Sequence, residues 1–511
     1  MSKDQKLATV VSGDEPGNFQ IGSLTAIGLS ESTVKRNLGA LEIIALGFNI
    51  ANSWVAVATS LAIAIAAGGT VTLIYGVILA SIAYMAVACT LGELASVYPT
   101  AGGQYHFTSV LSPQRWSKGL SYACGIIAAI SWVAINASVN ILSAQILLAV
   151  CIFFHADYLP QDWHYFMVYQ VINLLFLVYN LFVMRRTPWI HDVAFALTLV
   201  TFFVVTITCL ARSDKRASEW VWTSFENNTG WNDGVTFLTG LITPAFMFCG
   251  LDATLHLAEE VAEPQKTVPR ALMSTMGIGF ITGLVFSVAM CYSISDLDSL
   301  LAEPMPIFAL WRTATGSVAA GTVFMIALFI IAILVSNAIQ QTASHLIWSL
   351  ARDNALAFSA QLAKVHSDVP AAALILNAGL VFIAGCLFMA STTAFSSFVN
   401  TAIILQMVSF AFPASLLLVQ KRSQSLLPAS RSFRLPEWLG WCCNVATVAW
   451  AIIQVIFFTF PTSLPVSASS TNYAAAVLAF VALAAAANWV LYARKHYAGP
   501  RVLSAFTPAS Q

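Results

Sequence analysis

The sequence predicts an all-α polytopic membrane protein of twelve transmembrane helices, with the first and sixth broken at mid-span. Three observations carry this reading. Of the 511 residues, 58% are hydrophobic and only 9% charged, against about 25% charged in a soluble domain. Apolar runs of the roughly 20 residues needed to cross a bilayer recur twelve times. Two of them, five spans apart, are interrupted by polar or glycine residues at corresponding places, a pattern that points to inverted repeats around a central site.

Residues 1–38 are polar and hold no apolar signal core, so no cleavable signal peptide is expected and the segment reads as a disordered cytoplasmic tail. The spans follow near 39–66, 69–97, 116–153, 163–184, 189–211 and 234–258, then near 271–294, 317–350, 369–390, 393–420, 437–460 and 472–493. The third run is long enough to tilt strongly or to continue beyond the bilayer. Residues 494–511 form a short second tail. Of the 23 Lys and Arg residues, Arg212, Lys215, Arg216 and Arg312 fall in the loops of one side. The other 19 (23 − 4) fall on the side that also holds the N-terminus, which places both termini in the cytoplasm. The sequon Asn227-Asn228-Thr229 then lies in the external loop 212–233, open to glycosylation; Asn136-Ala137-Ser138 lies within a span and should be silent.

The 23 acidic residues balance the basic ones, so no nucleic-acid partner is expected. None of the nine cysteines sits at metal-ligand spacing, and the adjacent Cys442 and Cys443 read as packing. No metal, cofactor or disulfide framework is expected. No catalytic constellation is present either, so the chain reads as no enzyme.

Span 1 is interrupted by GFNIANSW (47–54), and span 6 by CGLDAT (249–254) after Pro244. Unwound backbone at that depth persists only where it lines a cavity or is buried in protein. Two kinked structural helices are the plain alternative; the matched pair favours a site. Asp252 costs roughly 2.5–3.5 kcal/mol at a helix centre, which makes it a functional candidate. Polar stripes at helical spacing surround the breaks: Trp132, Asn136 and Asn140 on span 3; Asn337, Gln341, Ser344 and Trp348 on span 8; Ser396, Ser397, Asn400 and Thr401 on span 10. Interhelical hydrogen bonding explains such residues singly, whereas their joint placement favours a pathway.

The stretch GLDATLHLAEEVAEPQKTVPRAL (250–272) resembles the span 6 signature of the amino acid–polyamine–organocation superfamily, closest to its fungal amino acid/choline branch. GELASVYPTAGGQYHF (92–107) and SLARDNALAFS (349–359) are similar to the superfamily's loop after span 2 and its end of span 8. The resemblance implies a five-plus-five inverted repeat, about 39–211 and 234–420, with two extra helices at about 437–493 and alternating access to a central site. Two departures stand out. The stretch 49–53 lacks a Gly-x-Gly pair, which leaves room for amines or ω-amino acids, and Asn354 and Ala357 stand where Gly and Pro are usual.

The expected substrate-binding set is Asn49, Asn52, Ser53, Trp54, Trp132, Asn136, Phe246, Phe248, Gly250 and Asp252. A cationic amine would rest on carbonyls at the span 6 break, with Asp252 as counter-ion and Phe246, Phe248 or Trp54 in cation–π contact. The alternative for Asp252 is a helix N-cap. Glu259 and Glu260 read as an inner-gate latch to Lys266 or Arg270, or as solvated acids. His256 reads as a proton relay or as a packed histidine. The implied activity is secondary active transport of a small amine-containing solute such as choline, γ-aminobutyrate, an amino acid, a polyamine or an amine-bearing secondary metabolite. The coupling ion would be the proton, and the location the plasma membrane, with the vacuolar membrane as alternative. A permease-like nutrient sensor that does not transport is the rival reading; the basic motif of major-facilitator carriers is missing.

Overall fold

The computed structural model describes residues 39–500 apart from 156, 188, 302, 367–368 and 468–470; the expected tail at 1–38 and most of that at 494–511 lie outside the described residues. Among the described residues the protein is all-helical, and its extended pairing is limited to isolated bridges at Ala67–Asn227 and His366–Val369. Among the described residues eleven helices are long and apolar enough to cross a membrane, one fewer than the sequence predicts.

The difference lies in the sixth expected span. It is cut into α9 (Asp233–Gly240), α10 (Ile242–Phe246) and α11 (Ala253–His256), with turns at 247–252 and a 3₁₀ turn at Ala258–Glu260. Pro244 lacks the N–H that would bond back to Gly240. Gly250 then turns at φ 84°, and a Cβ there would stand 2.5 Å from Ile50 Cγ2, so no other residue fits without a shift.

The first span behaves differently. It comprises α1 (Ala40–Ala51) and α2 (Ser53–Ala66), joined at Asn52 in the left-handed conformation (φ 36°, ψ 57°). The break expected across 49–53 is therefore one residue wide. Helical bonding resumes at once, with Asn52 N–H donating to Phe48 O at 2.7 Å and Ala56 N–H to Asn52 O at 3.0 Å. Asparagine tolerates this conformation better than other non-glycine residues.

The remaining helices that run the length of the bundle are α3 (Gly69–Val97), α5 (Gln114–Phe154), α6 (Asp162–Phe182), α7 (Ile190–Arg212), α12 (Pro264–Ser293), α15 (Val318–Arg352), α17 (Ala371–Ala390), α18 (Thr392–Val419), α19 (Glu437–Phe457) and α20, which begins at Ala474. Short helices lie in the connections: α4 (Gln104–Leu111), α8 (Ser218–Thr223), α13 (Leu297–Leu301), α14 (Pro306–Thr315) and α16 (Ser359–Leu362). At 41 residues, α5 is roughly 60 Å long and overruns the hydrocarbon core, as its sequence implies. The last helix passes through a π turn to His496, and the buried Tyr497 meets Ser121 Oγ at 2.7 Å. The start of the expected C-terminal tail is thus docked on α5. α12 packs along α3, and α5 packs against α15 and α18.

Loops meet in two separate groups. At one end, Tyr98 bonds Leu426 O, Ala101 N–H bonds Glu259, and Ser432 bonds Gln265 O. At the other, Val71 N–H bonds Ser224 O, Leu464 N–H bonds Thr229 O, and Trp231 bonds Pro461 O. The interrupted segment 233–260 runs from the second group to the first.

A second buried acid holds the first group together. Glu93, at the end of α3, is fully buried and accepts from Arg422 (2.6 Å), Arg431 (2.8 Å) and Leu435 N–H (3.1 Å). Removing one partner of such a buried pair typically costs 3–5 kcal/mol, because the remaining charge is left uncompensated. Glu93→Gln is expected to lower the melting temperature of the purified protein strongly without any solute present; an unchanged melting curve would remove the anchor role.

Candidate substrate site at the helix breaks

Asp252 stands at the N-cap position of α11, yet its side chain makes no capping bond. The capping alternative is overturned, because the carboxylate is turned toward other helices. Oδ2 accepts from Gln104 Nε2 on α4 and Trp132 Nε1 on α5 (3.2 Å) and lies 2.9 Å from His256 Nε2, and Oδ1 accepts from Gln406 Nε2 on α18 (3.0 Å). Gln406 also accepts from Gly250 N–H at 2.9 Å, so one amide spans the break.

The break in the first span is tied to that in the sixth by Ser53, whose Oγ donates to Met247 O at 2.9 Å. Asn52 lies beside it with both side-chain polar atoms buried and unpartnered. Asn49 is directed away, donating to His191 O on α7 at 2.7 Å. Asn136 is buried with its Nδ2 unpartnered. Trp54 and Phe248 are core residues in this conformation: Trp54 packs on Phe286 and Phe202, and Phe248 on Tyr84. Neither is among the residues lining the two cavities described next.

Two cavities follow the axis. A small one of about 40 Å³ sits at the breaks, lined by Ile50, Ala51, Asn52, Ile135, Val139, Phe246, Cys249 and neighbours. A large one of about 900 Å³ reaches toward the end that carries loop 213–232; its walls include Ser60, Ser138, Gln145, Tyr165, Thr243, Phe388, Phe395 and Asn400. Phe246 and Leu142 line both and stand between them. Asn227 lies at the same end as the large cavity. Its Nδ2, the atom a glycan would join, donates to Trp231 O (2.7 Å) and Asp233 Oδ1 (2.9 Å), bonds that glycosylation would displace.

The opposite end is closed by charge. Glu259 pairs bidentately with Arg352 at 2.9 and 3.1 Å and accepts from Ala101 N–H at 3.2 Å. Glu260 lies 2.8 Å from His345 Nε2, without a directed hydrogen bond. The partners expected from sequence, Lys266 and Arg270, do not make these contacts; Lys266 pairs with the exposed Glu263 instead. Chain proximity misleads here, since the loop after α11 turns its acids back to α15. Just behind, Tyr105 OH bonds Asp353 and Ser349, and His106 Nε2 is 3.5 Å from Asp353. Asn354 takes the left-handed conformation (φ 62°) where glycine would be usual.

His256 joins the centre to this closure. Its Nδ1 is 3.0 Å from Ala101 O while its Nε2 faces Asp252. The loop at Ala101 comes this close because Gly103, at φ 53°, leaves no Cβ between it and Leu255 and His256. Sequence reasoning missed Gln104, Gln406 and Arg352. Gln104 and Arg352 lie inside the quoted blocks, and Gln406 is a lone amide in an apolar run, the kind of residue that seeks an interhelical partner.

Comparison with known sequences matches residues 38–482 to the amino acid permease family. The chain belongs to that family. It is similar to the choline transporter of Saccharomyces cerevisiae, 32% identical over 471 residues that cover 89% of this chain and 81% of that protein. It is also similar to a putative amino acid/polyamine transporter of Macrophomina phaseolina, 28% identical over 439 residues (85% and 97% covered). The transmembrane transporter swnT of Metarhizium robertsii is 30% identical over 464 residues (89% and 91% covered). This permease is thus a multi-pass membrane transporter of the amino acid–polyamine–organocation superfamily and not an enzyme.

In this permease the closed end should respond to acid. Burial pushes the Glu259 carboxyl up, but the Arg352 guanidinium and the Ala101 amide outweigh it and hold it below its ordinary value. A depressed folded-state value means that the contribution is complete above the ordinary glutamate range near pH 4.3 and is lost as pH falls through the folded value. Glu259→Gln should therefore destabilise by about 1.5–3 kcal/mol at neutral pH. Its melting-temperature deficit against wild type should shrink as the pH is lowered; a deficit that grows on acidification would contradict the assignment.

Proposed function

We propose that this permease is a secondary active transporter moving a small amine-containing solute by alternating access. Choline, γ-aminobutyrate, an amino acid, a polyamine or an amine-bearing secondary metabolite all fit the class. The observation that carries the reading is the charge of the cavities: among their described lining residues none is Lys, Arg or His, and the one carboxylate is Glu303, itself paired with Arg312 at 3.1 Å. Such walls offer no counter-charge to an anion. They offer a cation aromatic faces at Phe246, Phe388, Phe395 and Tyr165, and the buried Asp252 lies beyond. The relatives, choline and putative amino acid/polyamine transporters, agree with it.

In this reading the interrupted segment 233–260 is a twelfth crossing, its break corresponds to that at Asn52 five crossings earlier, and α19 and α20 are the two extra helices. The charge-closed end is cytoplasmic, with both termini, and the large cavity is an external vestibule in the plasma membrane. Its volume matches ordinary ligand pockets of roughly 300–1,000 Å³. The inner cavity holds little more than a water, so entry requires Phe246 and Leu142 to move.

Asp252→Asn keeps the shape and removes the charge. If the carboxylate receives the substrate cation, affinity for choline or another accepted amine should fall about ten- to a hundredfold, with folding checked by thermal melting. Equal affinity would leave Asp252 to the closure alone. Coupling in this reading is to the proton, so uptake into reconstituted vesicles should follow an imposed pH gradient and ignore replacement of sodium; the reverse dependence would refute it.

A further inference from the structure

The hydrogen bonds of His256 admit fewer protonation states than its chemistry offers. Nδ1 faces the Ala101 carbonyl, which only accepts, and Nε2 faces Asp252 Oδ2. A neutral imidazole has one donor nitrogen and one acceptor. With Nδ1 protonated and Asp252 ionised, two lone pairs meet 2.9 Å apart at Nε2. With Nε2 protonated, two meet 3.0 Å apart at Nδ1. Both contacts are satisfied only when the pair carries one additional proton, either as imidazolium and carboxylate or as imidazole and carboxylic acid.

We propose that the Asp252–His256 pair holds this one proton, and that the proton keeps the inner gate closed by tying α11 to the Ala101 peptide. Ala101 is gripped on both sides: its carbonyl accepts from His256, and its N–H donates to Glu259, which pairs with Arg352. A single chain of contacts therefore runs from the central carboxylate to the latch. Loss of the proton breaks the bond to hydrogen at Nε2 or Oδ2, passes H⁺ to water and changes the pair from net zero to net −1. One of the two His256 contacts then becomes repulsive and opens.

Other groups near the pair do not supply the missing proton. Tyr84, Cys124 and Cys249 are neutral at pH 7 by their ordinary values. Arg352 is committed to Glu259, and His106 faces Asp353. Among the described residues, His256 is the sole ion-pair partner of Asp252.

The word gate rests on the transporter reading, but the proton count is measured without solute, so each can fail alone. The full chain, labelled with ¹⁵N-histidine and reconstituted in lipid, is examined by solid-state NMR at neutral pH, with His256 assigned by the signal lost in His256→Gln or shifted in Asp252→Asn. Infrared difference spectra between wild type and Asp252→Asn report whether the carboxyl is protonated. Imidazolium with carboxylate, or imidazole with carboxylic acid, supports the count; imidazole with carboxylate, or imidazolium with carboxylic acid, overturns it. For the gate, His256→Phe keeps ring volume without donors. Hydrogen exchange at 101–106 and 256–260 should then be roughly ten- to a hundredfold faster than in wild type at the same pH, the factor for losing one charge-assisted bond. Unchanged exchange in a folded His256→Phe overturns the gate. Should that variant not fold, wild type raised in pH must show the same loosening after correction for intrinsic exchange, and its absence overturns the gate equally.

Discussion

A carboxylate at the centre of a helical bundle has to be met by polar partners from the protein, and Asp252 gathers four. They come from α4, α5, α18 and its own α11, so one side chain sets the relative positions of elements far apart in sequence. The strained features nearby serve that convergence. Gly250 turns so that its N–H and Asp252 can share Gln406, and Gly103 lets the loop before α4 lie against His256. An unpaired carboxylate there would cost several kcal/mol, and so the surrounding backbone follows the acid.

The two ends of the bundle are built on different physics. The closed end joins buried or half-buried ions, Glu259 with Arg352 and Glu93 with Arg422 and Arg431. Pairs of this kind contribute modestly while intact and are costly when half broken, which favours two discrete states over gradual opening. The other end is held by backbone carbonyls, amides and aromatic edges around a wide cavity. Such contacts rearrange at lower cost. In the alternating-access reading proposed above, a carrier needs one end that switches cleanly and one that adapts to a solute, and this asymmetry would provide both.

Much of the fold was legible in the sequence because lipid imposes a strong constraint: spans must be apolar, helical and about 20 residues long. Eleven expected spans are continuous helices, the first with a kink at Asn52, and the twelfth departs where Pro244 and Gly250 were already visible. The site was legible less evenly. Asp252 and His256 stand out by their cost in an apolar run, and they do meet. Their partners do not stand out, since Gln104, Gln406 and Arg352 become neighbours only through the packing of α4, α18 and α15. Trp54 and Phe248 misled for the converse reason. An aromatic residue next to a break reads as a binding wall, whereas side-chain direction, set one residue at a time along the turn, sends both into the core. Ion-pair partners chosen by proximity in sequence failed likewise at Glu259.

The acid's cost and its use have one origin. Asp252 is expensive because its charge is far from water, and for the same reason any positive group that reaches it is held strongly. In this conformation His256 Nε2 lies 2.9 Å from Oδ2, and the proposed proton supplies the compensating charge there. A solute cation approaching from the small cavity would compensate the same single negative charge. Two positive charges beside one carboxylate are disfavoured in a low-dielectric interior. In the proposed reading, solute and proton compete for Asp252, and the one that wins also decides whether His256 still grips Ala101. In that proposal the site of binding and the trigger of the gate are the same carboxylate.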